Sequence, residues 1–334
     1  MALENTPCPI CAVDDARTLA RVRDLNLLTP GRFRLVRCRR CGLVYLNPRP
    51  GADEVGAYYT RDYWVPAAGG EDERDLGAGF RRAVSRIVRE YPGGKVLDVG
   101  CGAGRQASAM QRRGLVVSGV DPYQSACAAA REQHGIEALC TTLQEAPFPD
   151  ESFDALTFFD VLEHVHDPLG DLRKALALLR PGGIVVVKAP NINALQARLL
   201  GRWWYLEVPR HLFHFSPETL RRALEVAGFA YVWSHAIPGW RFGAALFEMS
   251  LLHWLRAVQF ARRGVAVTPA EGQSVGEALA GLVYPSVPSV GKRAFRWVLR
   301  NLVYLPVGVE NWIGRSTELL AFARKTPCAE GGAQ

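Results

Sequence analysis

Nowhere in the 334 residues is there an uninterrupted apolar run of the roughly 18 residues that a membrane-spanning helix needs. The opening Met1-Ala2-Leu3-Glu4-Asn5-Thr6-Pro7-Cys8 lacks the basic-then-apolar order of a secretory leader. The expectation is a soluble, cytoplasmic chain in a reducing compartment, whose eight cysteines are not joined in disulfides. A strong charge excess is missing too: the net charge of +7 permits an acidic partner without demanding one. With 49% hydrophobic and 22% charged residues the composition is that of a globular protein, long enough for one large domain or two ordinary ones.

One further absence is informative. The run Val96-Leu97-Asp98-Val99-Gly100-Cys101-Gly102-Ala103-Gly104-Arg105 looks like a buried strand breaking through a tight glycine turn into a helix. A dinucleotide fingerprint needs its third glycine where Arg105 stands. The glycines fall instead at 100, 102 and 104, behind Asp98, and an acid there suits a cofactor carrying a positive group better than a pyrophosphate. The next apolar strand, Leu115 to Val120, ends at Asp121, about where α/β nucleotide sites hold ribose hydroxyls. The purely structural alternative has Asp98 capping a turn and Asp121 capping the helix that starts near Tyr123.

The cysteines divide into two groups. Cys8, Cys11, Cys38 and Cys41 form two Cys-x-x-Cys pairs separated by 26 residues. Two such knuckles complete a tetrahedron of thiolates with no open position, which predicts a structural zinc site without a catalytic role. Cys101 lies between glycines and is read as a packing residue; Cys127, Cys140 and Cys328 have no evident partner.

Four segments follow. Residues 1–50 read as a ribbon with strands at Arg32–Cys38 and Leu43–Leu46. Between Leu25 and Ala52 it carries six arginines and no acid, either a solvated face or a surface for RNA or phosphate. Residues 51–92 read as a connector and possible lid, with an aromatic stretch at Tyr58–Trp64 and a helical stripe of Phe80, Val84, Ile87, Val88 and Tyr91. From residue 93 onward, strands near 95–99, 116–120, 136–140, 154–159, 184–189 and 229–235 alternate with helices at Asp167–Leu179 and Ser216–Ala227. That alternation predicts an α/β fold with a doubly wound, mostly parallel sheet and ligands at its carboxyl edge. Residues 237–315 read as a helical insertion before a last strand at Glu318–Ala323. Its apolar stripes cover a pocket or, less in keeping with the pattern, touch a membrane surface.

Five blocks in this order resemble the class I S-adenosylmethionine-dependent methyltransferases: Asp98-Val-Gly-Cys-Gly-Ala-Gly, Asp121, Phe148-Pro149-Asp150-Glu151-Ser152-Phe153-Asp154, Asp160-Val161-Leu162-Glu163-His164-Val165, and Arg180-Pro181-Gly182-Gly183. The ribbon and the segment Arg210-His211-Leu212-Phe213-His214-Phe215-Ser216 resemble bacterial members with an N-terminal four-cysteine zinc ribbon. The resemblance implies a Rossmann-like seven-stranded sheet and S-adenosylmethionine as cofactor. It implies that Asp98 lies near the methionine amine and Asp121 on the ribose. Gly100, Cys101, Gly102, Gly104, Pro122, Thr142, Leu143 and Asp160 then line the cofactor. Many relatives place an acid by the adenine where this chain has Thr141-Thr142-Leu143.

His164 and His211 are the candidate bases, with Asp160 a further candidate catalytic residue, because neutral imidazoles suit proton removal near pH 7. Asp160 and Arg210 are candidates for substrate contact, and Glu163 is expected to point elsewhere. The reading is a small-molecule methyltransferase, O-methylating, in specialised biosynthesis. An RNA methyltransferase and a cofactor-dependent enzyme that transfers no methyl group stay open. Nucleic acid is not the favoured partner: Phe159-Asp160-Val161-Leu162 stands where an Asn-Pro-Pro-Tyr-type tetrad would be.

Overall fold

The computed structural model describes residues 3–24, 31–59, 76–201, 206–238 and 307–327, together with Trp204, Gly243 and Ser250. The chain opens with β1 (Leu3–Glu4), β2 (Ala16–Val22), β3 (Phe33–Cys38), β4 (Val44–Leu46) and β5 (Arg49–Pro50). A short helix, α1 (Ala52–Val55), precedes the long α2 (Gly77–Glu90). Then come β6 (Lys95–Val99), α3 (Arg105–Arg112), β7 (Val116–Asp121), α4 (Gln124–His134), β8 (Glu137–Cys140) and β9 (Phe153–Phe159). The chain continues through α5 (Pro168–Leu178), β10 (Leu179–Pro190), α6 (Leu195–Leu200), β11 (Phe213–His214), α7 (Pro217–Ala227), β12 (Ala230–Ile237) and β13 (Glu318–Arg324).

Seven strands form one sheet in the order β12-β13-β10-β9-β6-β7-β8. β13 alone runs against the rest, antiparallel to both β10 and β12. This is the expected doubly wound sheet, and its strands lie where the apolar runs placed them. The periodicity explains why. Parallel strands are covered on both faces, so successive residues serve different cores. Leu97, Val99, Leu156, Phe158, Val185 and Val187 enter one apolar cluster with α5 and α7. Val96, Ala155, Ile184 and Val186 enter the other, beneath Phe80, Val84 and Ile87 of α2. Only β10 departs from the expected span. It begins at Leu179, and a register shift separates Leu179 from Ile184, with Gly182 at φ +79° between them.

Helix ends follow the local chemistry. Asp167 accepts from Gly170 N at 2.9 Å and Pro168 takes the first helical position of α5. Ser216 and Thr219 cap α7 reciprocally, and Gly228 ends it in the left-handed conformation.

The N-terminal sheet has the order β11-β4-β3-β2, so the ribbon does not stand apart. Its outer strand, β11, comes from beyond residue 200, pairing Phe213 with Tyr45 and His214 with Val44. Ribbon residues Cys8, Phe33, Tyr45 and Leu46 share one apolar cluster with Leu97, Phe158 and Leu212. Of the expected insertion 237–315, residues 307–312 are helical. The stripes at 247–258 and 295–303 lie outside the described residues, as does Cys328.

Leu97, fully buried in the central strand β6, provides the stability test. Leu97→Ala should cost about 2–5 kcal/mol through lost transfer energy and a residual cavity, read as a lower denaturant midpoint with an unchanged slope. An unchanged midpoint would mean that this strand does not carry the core.

Candidate active site at the carboxyl edge of the sheet

β6 delivers the glycine loop. Gly100 N and Cys101 N both donate to Val120 O at the end of β7, at 2.8 and 3.1 Å. Gly100, Gly102 and Gly104 all have positive φ. A Cβ on Gly100 would come within 2.5 Å of Val161, whereas one on Gly102 would meet nothing within 4 Å, so the loop is packed behind and open in front. Gly104 is the N-cap of α3, so the loop ends at the first, intrahelically unpaired N–H groups of that helix.

Asp98 is 1% exposed. Its Oδ1 accepts from Thr157 Oγ1 at 2.6 Å, while Oδ2 has no partner among the described residues. Burial pushes its pKa up to about 7, against the opposing effect of the Thr157 hydrogen bond. An orphaned buried carboxylate oxygen beside an open glycine loop fits a group bearing an ammonium. Asp121 has a double engagement: Oδ2 accepts from Gly102 N at 3.0 Å and Oδ1 from Tyr123 N at 2.9 Å. It therefore fastens the loop by an Asx-type turn, with lone pairs left for hydroxyl donors; the N-cap of α4 is Tyr123. Cys101, 3% exposed, packs against Gly119 of the neighbouring strand, and burial raises its thiol pKa. Leu143 is buried, whereas Pro122 and Thr142 are exposed, and the Thr142 hydroxyl donates to Glu145 at 3.0 Å.

The turn after β9 brings together more ionisable groups than its spacing suggested. Asp160 sits at φ +58°, a costly conformation for a residue with a side chain. Its carboxylate is hydrogen-bonded to Lys188 Nζ from β10. Lys188 is missing from the sequence reading because it lies mid-run in an apolar strand. Burial by itself would lower its pKa, but Asp160 and Glu318 raise it on balance. Glu163 corrects an expectation: it points inward, 1% exposed, with neither oxygen partnered among the described residues. Burial, and then the charge of Asp160, raise its pKa well above the ordinary range.

Opposite stand the histidines. His164 and His211 meet edge to face with ring centroids 4.5 Å apart. One donor atom from each of Glu163, His164 and His211 lies within 4.8 Å of the others. The set has the composition of a divalent-cation site. Burial is the first cause of a lowered pKa in both rings, to about 4 for His164 and well below the usual value for His211. Both are therefore neutral at pH 7, as a base requires. Tyr59 from the connector reaches His164 Nδ1 at 3.0 Å and lies 5.6 Å, ring to ring, from Tyr123. Tyr58 instead packs into the ribbon against Phe33, and Thr60–Trp64 fall outside the described residues. Arg210, considered for substrate contact, is wholly buried and paired with Asp24.

In the ribbon, the two knuckles repeat one geometry. Cys8 O accepts from Ala12 N and Cys38 O from Gly42 N, and Ala12 and Gly42 both have positive φ. The sulfurs of Cys8 and Cys41 lie 3.4 Å apart and those of Cys11 and Cys38 3.5 Å. These separations are close to the edge of a tetrahedron with metal–sulfur bonds of ~2.3 Å.

A family model described as "Methyltransferase domain" matches residues 73–234. A ubiquinone biosynthesis O-methyltransferase of Bradyrhizobium diazoefficiens is 42% identical over 119 residues, covering 34% of this chain and 46% of that relative. One of Ruegeria pomeroyi is 33% identical over 183 residues, covering 50% of this chain and 68% of that relative. Across these curated relatives the chain spans from under half to two thirds of their length. A solved Thermotoga maritima methyltransferase structure, described as a possible histamine N-methyltransferase, has 18% identity and a TM-score of 0.45, covering 74% of this chain and 90% of that one. With the glycine loop, the acid-tipped strands and the sheet order on the same chain, the protein belongs to the S-adenosylmethionine-dependent methyltransferases.

Proposed function

We propose that the protein methylates a hydroxyl group of a small molecule in a biosynthetic pathway. The observation that carries this reading is the pairing of two halves on one sheet edge. A buried, half-partnered carboxylate, Asp98, sits behind an open glycine loop, and two neutral imidazoles meet edge to face, His164 from the turn after β9 and His211 from the segment before β11. S-adenosylmethionine, when bound, supplies a sulfonium methyl group for in-line displacement. Asp98 receives the amine of the methionine moiety, and Asp121 receives the ribose hydroxyls while holding the glycine loop closed behind them. Leu143 packs from the turn after β8. The His164–His211 pair takes the proton of the acceptor hydroxyl as its oxygen attacks, which a cationic imidazole could not do. Burial raises the Glu163 pKa, which disfavours a negative charge that would repel a developing alkoxide or phenolate.

The O-methyltransferase names of the curated relatives support oxygen as the acceptor atom. The ribbon arginines support a small molecule over RNA, because several are already engaged. Arg34 donates to Asn47 O, Arg39 pairs with Asp15, and Arg49 pairs with Glu4 and donates to His166 O. We assign a structural zinc ion to Cys8, Cys11, Cys38 and Cys41; its closed thiolate set leaves no position for substrate.

Incubation with S-adenosylmethionine and a panel of phenols, alcohols and amines should release S-adenosylhomocysteine with a hydroxylated acceptor, and the product should gain one methyl group. His211→Ala should lower that rate by about 10²–10⁴-fold. Release only with RNA, or a product of unchanged mass, would overturn the reading.

Cofactor affinity should rise with pH. The ionised form of Asp98 is the one that pairs with an ammonium, and below about pH 7 the buried group is protonated. Affinity should then fall by up to about tenfold per pH unit. In the unliganded protein the sign is opposite: stability is greatest below the ordinary carboxylate range and declines as pH climbs through about 7. Calorimetric titration at pH 6 and 8 would show the difference, and Asp98→Asn should abolish it. Equal affinities at both values would remove Asp98 from the amine site.

Elemental analysis should find one zinc per chain, lost together with ribbon stability in Cys38→Ala. Full metal content in that variant would refute the four-thiolate assignment.

A further inference from the structure

Asp24, at the end of the ribbon strand β2, has a side chain with no solvent exposure. Its two oxygens face Arg210 Nη1 and Nη2 at 3.2 and 3.4 Å. Such a bidentate carboxylate–guanidinium pair fixes both position and orientation. Arg210 Nη1 also donates to Tyr58 O at 3.2 Å, so ribbon and connector grip one guanidinium. On its far side, Arg210 Nε lies 3.5 Å from Glu207 Oε1. The other oxygen of Glu207 lies 3.3 Å from His211 Nε2, and His211 N donates to Glu207 O at 3.0 Å, closing the turn that carries all three residues.

The backbone of Arg210 adds a second connection. Its peptide hydrogen-bonds the His164 ring, whose Nδ1 is taken by the Tyr59 hydroxyl. A carbonyl can only accept, so the ring nitrogen bonded to it carries the hydrogen, and with Nδ1 against the Tyr59 hydroxyl that nitrogen is assigned as Nε2. The Glu207 carboxylate, whose other oxygen faces the Arg210 guanidinium, is the acceptor for His211, so His211 Nε2 carries a hydrogen as well. Both lone pairs are thereby left on Nδ1.

We propose that Asp24 is a positioning residue for the histidine pair. Through Arg210 and Glu207 it holds His211 in the Nε2–H tautomer, so that Nδ1 is its basic nitrogen, and it fixes the Arg210 peptide that orients His164. The ribbon is thus part of the proton-accepting apparatus while contributing no group that touches substrate. That His211 serves as the base rests on the proposed methyl transfer; its tautomer does not.

The sequence contains seven histidines, few enough for ¹⁵N-histidine labelling of the full, zinc-loaded chain. Long-range ¹H–¹⁵N correlations report which ring nitrogen bears hydrogen, without any substrate. In the wild type, His164 and His211 should both give the Nε2–H pattern. In Asp24→Asn the His211 signals should become those of a tautomer mixture, with zinc content and S-adenosylhomocysteine affinity unchanged. Asp24→Glu should restore the wild-type pattern at least in part. Because removal of one buried charge can prevent folding, the double variant Asp24→Leu/Arg210→Met provides a second arm: it removes both charges together, an exchange that buried pairs often tolerate. It should fold and show the mixture. An unchanged His211 tautomer in a folded variant of either kind overturns the proposal, as does an Nδ1–H pattern in the wild type. A retained tautomer effect without any methyl transfer would sink the proposed reaction alone.

Discussion

Strand β4 lies in the ribbon by sequence, but its outer edge is completed by Phe213 and His214 from beyond residue 200. Leu46 N donates to Leu212 O on the same edge, and Leu212 N and Phe213 N both donate to Glu163 O. One short ladder therefore runs from the metal knuckles through β4 and β11 to the turn after β9, where His164 stands. An unpaired strand edge would itself need covering, and here the cover is the segment that carries His211. The closeness of His164 and His211, residues 47 positions apart, depends on this shared edge.

The charges around that turn follow a single logic. Asp160, Glu163 and Glu318 surround one buried ammonium, Lys188, and burial raises the pKa of both glutamates. A low-dielectric site disfavours the charged form of an acid, which is the direction of the shift at Glu163 and Glu318. Asp160 is the member hydrogen-bonded to Lys188. The histidines experience the same burial with opposite sign and lose their protons. Acids shifted toward the protonated form beside bases shifted toward the neutral one is the arrangement expected where a proton must move.

How legible this was in the sequence depended on range. The strands, the glycine loop, the α7 caps and the four thiols are local patterns, each fixed by periodicity or by a spacing of a few residues. Glu163 was misplaced because a turn has no period: the left-handed conformation of Asp160 alters the direction of the residues after it, and nothing in Asp160-Val161-Leu162-Glu163 announces it. Lys188 was hidden inside the apolar strand Ile184-Val185-Val186-Val187-Lys188-Ala189, where nothing marks a lone cation as the partner of an acid 28 positions away. Asp24 was beyond reach for the same reason, 186 positions from Arg210. Long-range pairs leave no spacing to read.

Why an ion pair should join ribbon to core, when the surrounding interface is apolar, follows from what each kind of contact penalises. Phe33, Tyr45, Leu46, Phe213 and Phe215 are almost wholly buried in that cluster, and they supply attraction without direction, because apolar surfaces can slide past one another and stay buried. The Asp24–Arg210 pair adds little net stability, since the cost of stripping water from two charges nearly offsets their attraction. Its effect is on the alternatives. Any docking that parts the two leaves an uncompensated charge in the interior, at a cost of about 3–5 kcal/mol. A shift of one residue along β4 would also turn the wrong face of β11 inward. Apolar burial thus decides that ribbon and core associate. The buried pair and the strand register decide how, and only that arrangement sets His211 against His164.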